Sequence, residues 1–142
     1  MIATTQTVFS YLTQIANLHQ LVKSTDWSEP DYILSQYSLT YPYVFYSPLN
    51  YRIEKNLTTI TVQMVVMDLL RSDESNLTYL WSDTFEITHD IISKIDYDQL
   101  YWINLSNVEP FKSKRQNDLV AGQIATFELT IQKPMNSCNY AN

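Results

Sequence analysis

The sequence predicts an α+β fold, a mainly antiparallel sheet of four or five strands with two helices packed on it. Three observations point there. Two segments repeat apolar residues every three or four positions, the spacing of one helix face. Other segments alternate apolar and polar residues with the period of a strand. The order along the chain is helix, strands, helix, strands. At 142 residues the chain has the size of one domain, so 1–142 is read as a single unit whose Asn-rich end, 136–142, is a flexible tail.

The first helix is expected over 4–24, where Val8, Leu12, Ile15, His19 and Val22 share a face that Tyr11, Leu18 and Leu21 widen. Thr4 or Thr5 can cap its start, and Ser24, Thr25, Asp26 and the later Pro30 mark its stop. Residues 26–36 read as loop. An aromatic stretch follows, from Tyr37 to Tyr51, in which Tyr41, Tyr43 and Phe45 alternate with Pro42 and Val44. That suits an edge strand or a strand start, where proline's missing donor does no harm.

The clearest strand is 57–67, with Ile60, Val62, Met64 and Val66 on one face. Its other face turns apolar at Val65 and Met67, as in a strand that enters the centre of the structure. A half-buried partner is expected at 123–133, where Ala125, Phe127, Leu129 and Ile131 alternate with threonines and other polar residues. A third strand fits 100–108, with Trp102, Asn104, Ser106 and Val108 opposite Tyr101, Ile103 and Leu105. Between them a second helix spans about 75–95, its core face Leu77, Leu80, Thr84, Ile87, Ile91 and Ile95. Ser72 to Ser75 offer capping oxygens and negative charge at its start, and Lys94 falls in its last turn.

Composition excludes several function classes. The single glycine, Gly122, stands where average usage gives about ten, so phosphate-cradling glycine loops are absent. Two histidines and one cysteine cannot supply the four ligands of a structural zinc site, and no metal or cofactor is expected. A net charge of −6 opposes wrapping duplex DNA. No apolar run is long enough to cross a bilayer, and the first residues lack the basic start and apolar core of a secretory signal. The lone Cys138 fits a reducing compartment.

Candidate functional residues are few. Asp83, Glu86 and Asp90 fall at i, i+3 and i+7 on the second helix, off its core face. Carboxylates so placed suit acid–base chemistry or a divalent cation, and equally a solvated face. His19 reads as a core or boundary residue with one nitrogen satisfied, His89 sits near the carboxylates, and Cys138 lies in the tail. Lys112, Lys114 and Arg115 form the one basic cluster, in a 110–118 loop between strands that can meet an acidic surface or simply be solvated. Sequons at Asn56, Asn76 and Asn104 are chance matches in an Asn-, Ser- and Thr-rich chain without a signal. Eleven tyrosines and three tryptophans with only 17% charged residues suit an interface, where aromatics are enriched and charge is depleted. Trp27, Tyr43, Phe45, Tyr46, Tyr51 and Tyr101 are the candidate contacts, with Lys112, Lys114 and Arg115 beside them.

Val62 to Asp68 (VQMVVMD), Ser72 to Asn76 (SDESN) and Ser82 to Thr84 in a helix ending Ile91–Ile92 resemble a small virion protein of tailed bacteriophages. Among these the chain is similar to proteins of the crAss-like phages. The likeness continues through Glu109 to Phe111, Asp118 to Gly122 and Ala125 to Phe127. The pattern usually has tryptophan after the glycine, where this chain has Gln123, and the Asn-rich tail is its own. The element order is also similar to tail-terminator and head–tail connector proteins, which assemble as closed rings.

The resemblance implies a non-enzymatic structural subunit, present in six or twelve copies, at the neck or tail of a virion. It would be assembled in the host cytoplasm against neighbouring portal, connector or tail proteins. DNA would pass its channel without sequence-specific binding, and Asp83, Glu86 and Asp90 would face that channel or solvent. Two other expectations stand beside this one. The first is a monomeric phage-encoded binding protein that modulates a host factor, and the second is a small hydrolase using the three carboxylates.

Overall fold

The computed structural model describes residues 5–29, 40–115 and 118–132, with Arg115 and Gln132 as backbone positions. The order is α1 (Thr5–Leu18), β1 (Ser24–Trp27), β2 (Tyr43–Ile53), β3 (Leu57–Leu69), α2 (Leu77–Asp98), β4 (Trp102–Arg115) and β5 (Asp118–Gln132). The strands form one five-stranded sheet in the order β1-β2-β3-β5-β4. Only β1–β2 is parallel; β2–β3, β3–β5 and β4–β5 are antiparallel. The α+β expectation holds at this level, with a mixed rather than purely antiparallel sheet.

Both helices lie on the same sheet face. Val44, Tyr46, Ile60, Val62, Met64, Val66, Ala125, Phe127 and Leu129 point up into a core closed by Phe9, Leu12, Ile87, Ile91 and Ile95. The cross-strand rows Tyr46–Met64–Ala125 and Pro48–Val62–Phe127 put these side chains in register. On the opposite face, Tyr43, Phe45, Val65, Met67 and Val120 form a second buried cluster. The apolar turn at Val65 and Met67 is thus a strand buried on both sides at this end.

α1 is shorter than its apolar spacing predicts. The His19 amide bonds back to the Ala16 carbonyl (3.1 Å), tightening the last turn, and the Lys23 amide is taken by the Pro42 carbonyl (2.9 Å). Sheet pairing therefore overrides the stripe: Val22 is buried, but from the turn, and 24–27 becomes β1 instead of helix and loop. α2 begins at Leu77 and runs to Asp98. Its N-cap, Asn76, makes no capping bond; its side chain instead accepts from the Arg71 amide and donates to the Leu69 carbonyl. Lys94 falls short of the last turn and pairs with Asp98 (3.0 Å). Two threonines sit buried on the apolar face of α2 because each returns its hydroxyl to a carbonyl one turn back, Thr84 to Leu80 (2.5 Å) and Thr88 to Thr84 (2.8 Å).

β2 carries through Pro48 to Ile53, with an irregularity between Pro48 and Asn50. The proline is tolerated because β1 pairs only with Tyr43 to Tyr46, and among the described residues no strand covers the outer side of β2 from there on. The region 110–118 is not a loop. β4 runs to Arg115, which pairs with Asp118, so only positions 116 and 117 connect the hairpin. A bulge between Leu105 and Asn107 also flips the alternation, moving Val108 onto the face of Ile103 and Leu105.

Gly122 serves a close approach, not a turn. A Cβ there would fall on the Val66 carbonyl oxygen and within 2.8 Å of its carbon. The left-handed turn positions are filled instead by Glu74 (φ 58°) and Gln99 (φ 54°), which carry side chains. Among the described residues no helix is long and apolar enough to cross a membrane.

Candidate functional site

The inward row of α2 fixes what its outer side presents. With Ile87, Ile91 and Ile95 on the sheet, Asp83, Glu86 and Asp90 form an exposed stripe, and Phe85 projects with 48% of its surface in solvent. The first turns of α2 are clamped to the sheet at two points. Trp81 Nε1 donates to the Phe111 carbonyl (2.9 Å), and Gln123 Nε2 donates to the Trp81 carbonyl (3.0 Å). Between helix and hairpin an open groove of about 750 Å³ remains. Trp81, Val108, Pro110 and Gln123 line it together with Phe85, Glu86, His89 and Asp90.

Of the three stripe carboxylates, Glu86 and Asp90 line the groove, and Asp83 lies outside it toward Asp68. Burial pushes the Asp68 carboxyl up; the Leu69 amide pulls it back, and the Asp83 charge adds to the rise. Asp90 is engaged by His19 Nε2 at 2.9 Å, while His19 Nδ1 accepts from the Leu21 amide (3.1 Å). The amide contact assigns the Nε2–H tautomer, so the ring caps the end of α1 and donates to α2 at once. At the far end of α2, the Tyr11 hydroxyl donates to Asp98 (2.7 Å), which also holds Lys94. These two partners keep the Asp98 carboxyl below its ordinary range. Burial and that same carboxylate raise the Tyr11 hydroxyl well above its own.

The aromatic contact candidates divide. Tyr43, Phe45 and Tyr46 are at most 2% exposed and belong to the two cores, so they are corrected from surface to interior. Alternation had placed Val44 opposite Tyr43 and Phe45, but this end of the sheet is covered on both faces. Trp27 stacks on Phe9 with centroids 4.8 Å apart, and Tyr101 meets Tyr11 edge-on at 5.4 Å. Only Tyr51 is largely open, half-exposed, where its hydroxyl accepts from Thr5 (3.3 Å). Of the basic cluster, Lys112 pairs with Glu74 (2.6 Å), Lys114 is exposed, and Arg115 is placed by its pairing with Asp118. His89 is exposed beside Phe85. Asn56 and Asn104 are exposed, whereas Asn76 is held in the turn before α2. Cys138 and the 136–142 tail lie outside the described residues.

Sequence reasoning missed the groove. Its clue was Phe85, a large apolar residue off the Leu80–Thr84–Ile87 stripe, together with Leu105, on the face of β4 that Val108 shares and 44% exposed. Among the described residues no group of three or more His, Cys, Asp or Glu side chains could hold a metal ion. The arrangement suits recognition, with aromatic and aliphatic walls for area and two carboxylates for a cationic group. Compared with known proteins, the chain matches no family model and no curated protein sequence.

Proposed function

We propose that this chain is a structural subunit of a tailed-phage particle, repeated around an axis as a ring in the neck or tail and leaving a passage for DNA. The observation that supports it best is the α2–β4 side of the molecule. Exposed Phe85 and Leu105 lie there beside a groove and a sheet edge that no described strand covers. A ring repeats one heterologous contact, so each copy needs two different complementary surfaces. A side on which apolar rings and an unpaired strand lie together can supply one of them.

The β4 edge is blunted against simple strand addition. Its ladder is offset between Leu105 and Asn107, Pro110 lacks a donor, and lysines follow at 112 and 114. Neighbours would therefore meet it through side chains. The charge of −6 per copy suits a conduit, because like charge lets DNA pass without adhering. The resemblance of its sequence to crAss-like phage proteins supports a position in the neck or tail. Electron microscopy of the particle neck, with mass spectrometry of purified particles, tests the reading. The expected result is a stoichiometric multiple of six copies around the channel, and absence from purified particles overturns it.

A further inference from the structure

We infer that the turn closing α1 is a proton-operated latch: a proton taken up at Nδ1 of His19 releases residues 20–22 while the bond from α1 to α2 stays closed. The inference does not depend on the ring reading. His19 is held by both nitrogens, with 16% of its side chain in solvent. Nε2 donates to Asp90 on α2 (2.9 Å), and Nδ1 accepts from the Leu21 amide (3.1 Å). An amide can donate only to an unprotonated ring nitrogen, so the second bond belongs to the neutral ring. Imidazoles take up their second proton between about pH 5 and 8. That proton sets two donors face to face, and turning the ring over would present carbon to both partners.

The bond to Asp90 survives, because Nε2 carries its proton in both states and then meets the carboxylate as a cation. Lys94 lines the same crevice, beside Ile15, Leu18 and Ile91, and is paired with Asp98 (3.0 Å). Glu86 and His89 line the groove with Asp90, and Lys23 and Asp26 are exposed in the turn and β1. Arg52 of β2 pairs with Glu54 and follows Tyr51, which Thr5 meets at the other end of α1. The released stretch is short because bonds without a titratable group pin both its ends. These are the His19 amide to the Ala16 carbonyl (3.1 Å) and the Lys23 amide to the Pro42 carbonyl (2.9 Å). Between them Val22 is seated in the core and Leu21 is half in solvent. Acid therefore rearranges an apolar corner of the surface and leaves the core in place.

Nitrogen NMR of the His19 ring, with amide exchange of the intact chain from pH 8 to 5, tests this. At pH 8 Nε2 should carry the proton and Nδ1 none. As the ring titrates, protection of the Leu21 amide, corrected for its intrinsic rate, should fall about five- to tenfold, the worth of one net hydrogen bond. The Lys23 amide should keep its protection. His19→Asn keeps a side-chain acceptor two residues before Leu21 but cannot titrate, so its Leu21 protection should show no step with pH. A proton on Nδ1 at pH 8, Leu21 protection that does not follow the ring, or the same step in His19→Asn overturns the latch. Joint loss at Leu21 and Lys23 overturns it too, because the whole turn then opens. Copy number in particles, which tests the ring reading, is independent of every one of these outcomes.

Discussion

Around α1 the sheet is met by rings, and around α2 by a row of isoleucines. Phe9 stacks on Trp27 and meets Tyr46 edge-on at 6.5 Å, and the Tyr46 hydroxyl reaches across to the Leu12 carbonyl (3.0 Å). α2 lies on Ile87, Ile91 and Ile95, and its directed bonds to the sheet among the described residues are at Trp81. Aromatic side chains are broad and end in polar tips that find partners, so they cover the sheet widely beneath α1. Aliphatic side chains cover only the sheet beneath them. The β4 side of α2 therefore stands off, and the groove is the space left over.

Phe9→Ala strikes that contrast hardest. Loss of a fully buried ring shared by α1, β1 and β2 should cost about 3–5 kcal/mol, read as a lower urea midpoint at unchanged slope. A loss no larger than a surface change, about 0.5 kcal/mol, would break the distinction between the sides. Next is the seam between them. Gly122→Ala puts a methyl group on the Val66 carbonyl and should cost about 1–3 kcal/mol or more. Amide exchange should quicken along β3 and β5, and an unchanged variant would mean the two strands separate freely there.

The smallest expected effect is the acid response of the tie between the helices. Because the Asp98 carboxyl is depressed in the folded chain, its contribution is complete above the unfolded value of about 4 and fades as pH falls through the lower folded value. Asp98→Asn should be less stable than wild type at neutral pH and converge with it in strong acid. Parallel pH profiles of the two chains would remove Tyr11 and Lys94 as its partners.

What was legible followed from repeated local pattern. The α2 row and the faces of β3 and β5 are periodic over many residues, and each landed where its period pointed. β1 was hidden because four residues, Ser-Thr-Asp-Trp, hold too little alternation, and their partner in β2 begins nineteen positions on, Ser24 against Tyr43. The β4 register was lost to a single bulge, and its far half to Pro110 and three charges that look like a loop but are tolerated on an edge. The groove needed residues of α2 and of the hairpin brought together by topology. No window along the chain contains both Phe85 and Val108.

One last consequence belongs to Gly122. Its neighbour's backbone occupies the space a side chain would need, so this position is constrained by the path of the main chain rather than by any ligand or partner. Distant relatives with the same architecture can exchange rings for aliphatics elsewhere, but a residue without a Cβ opposite Met67 should persist. That makes it the fixed mark by which to align them.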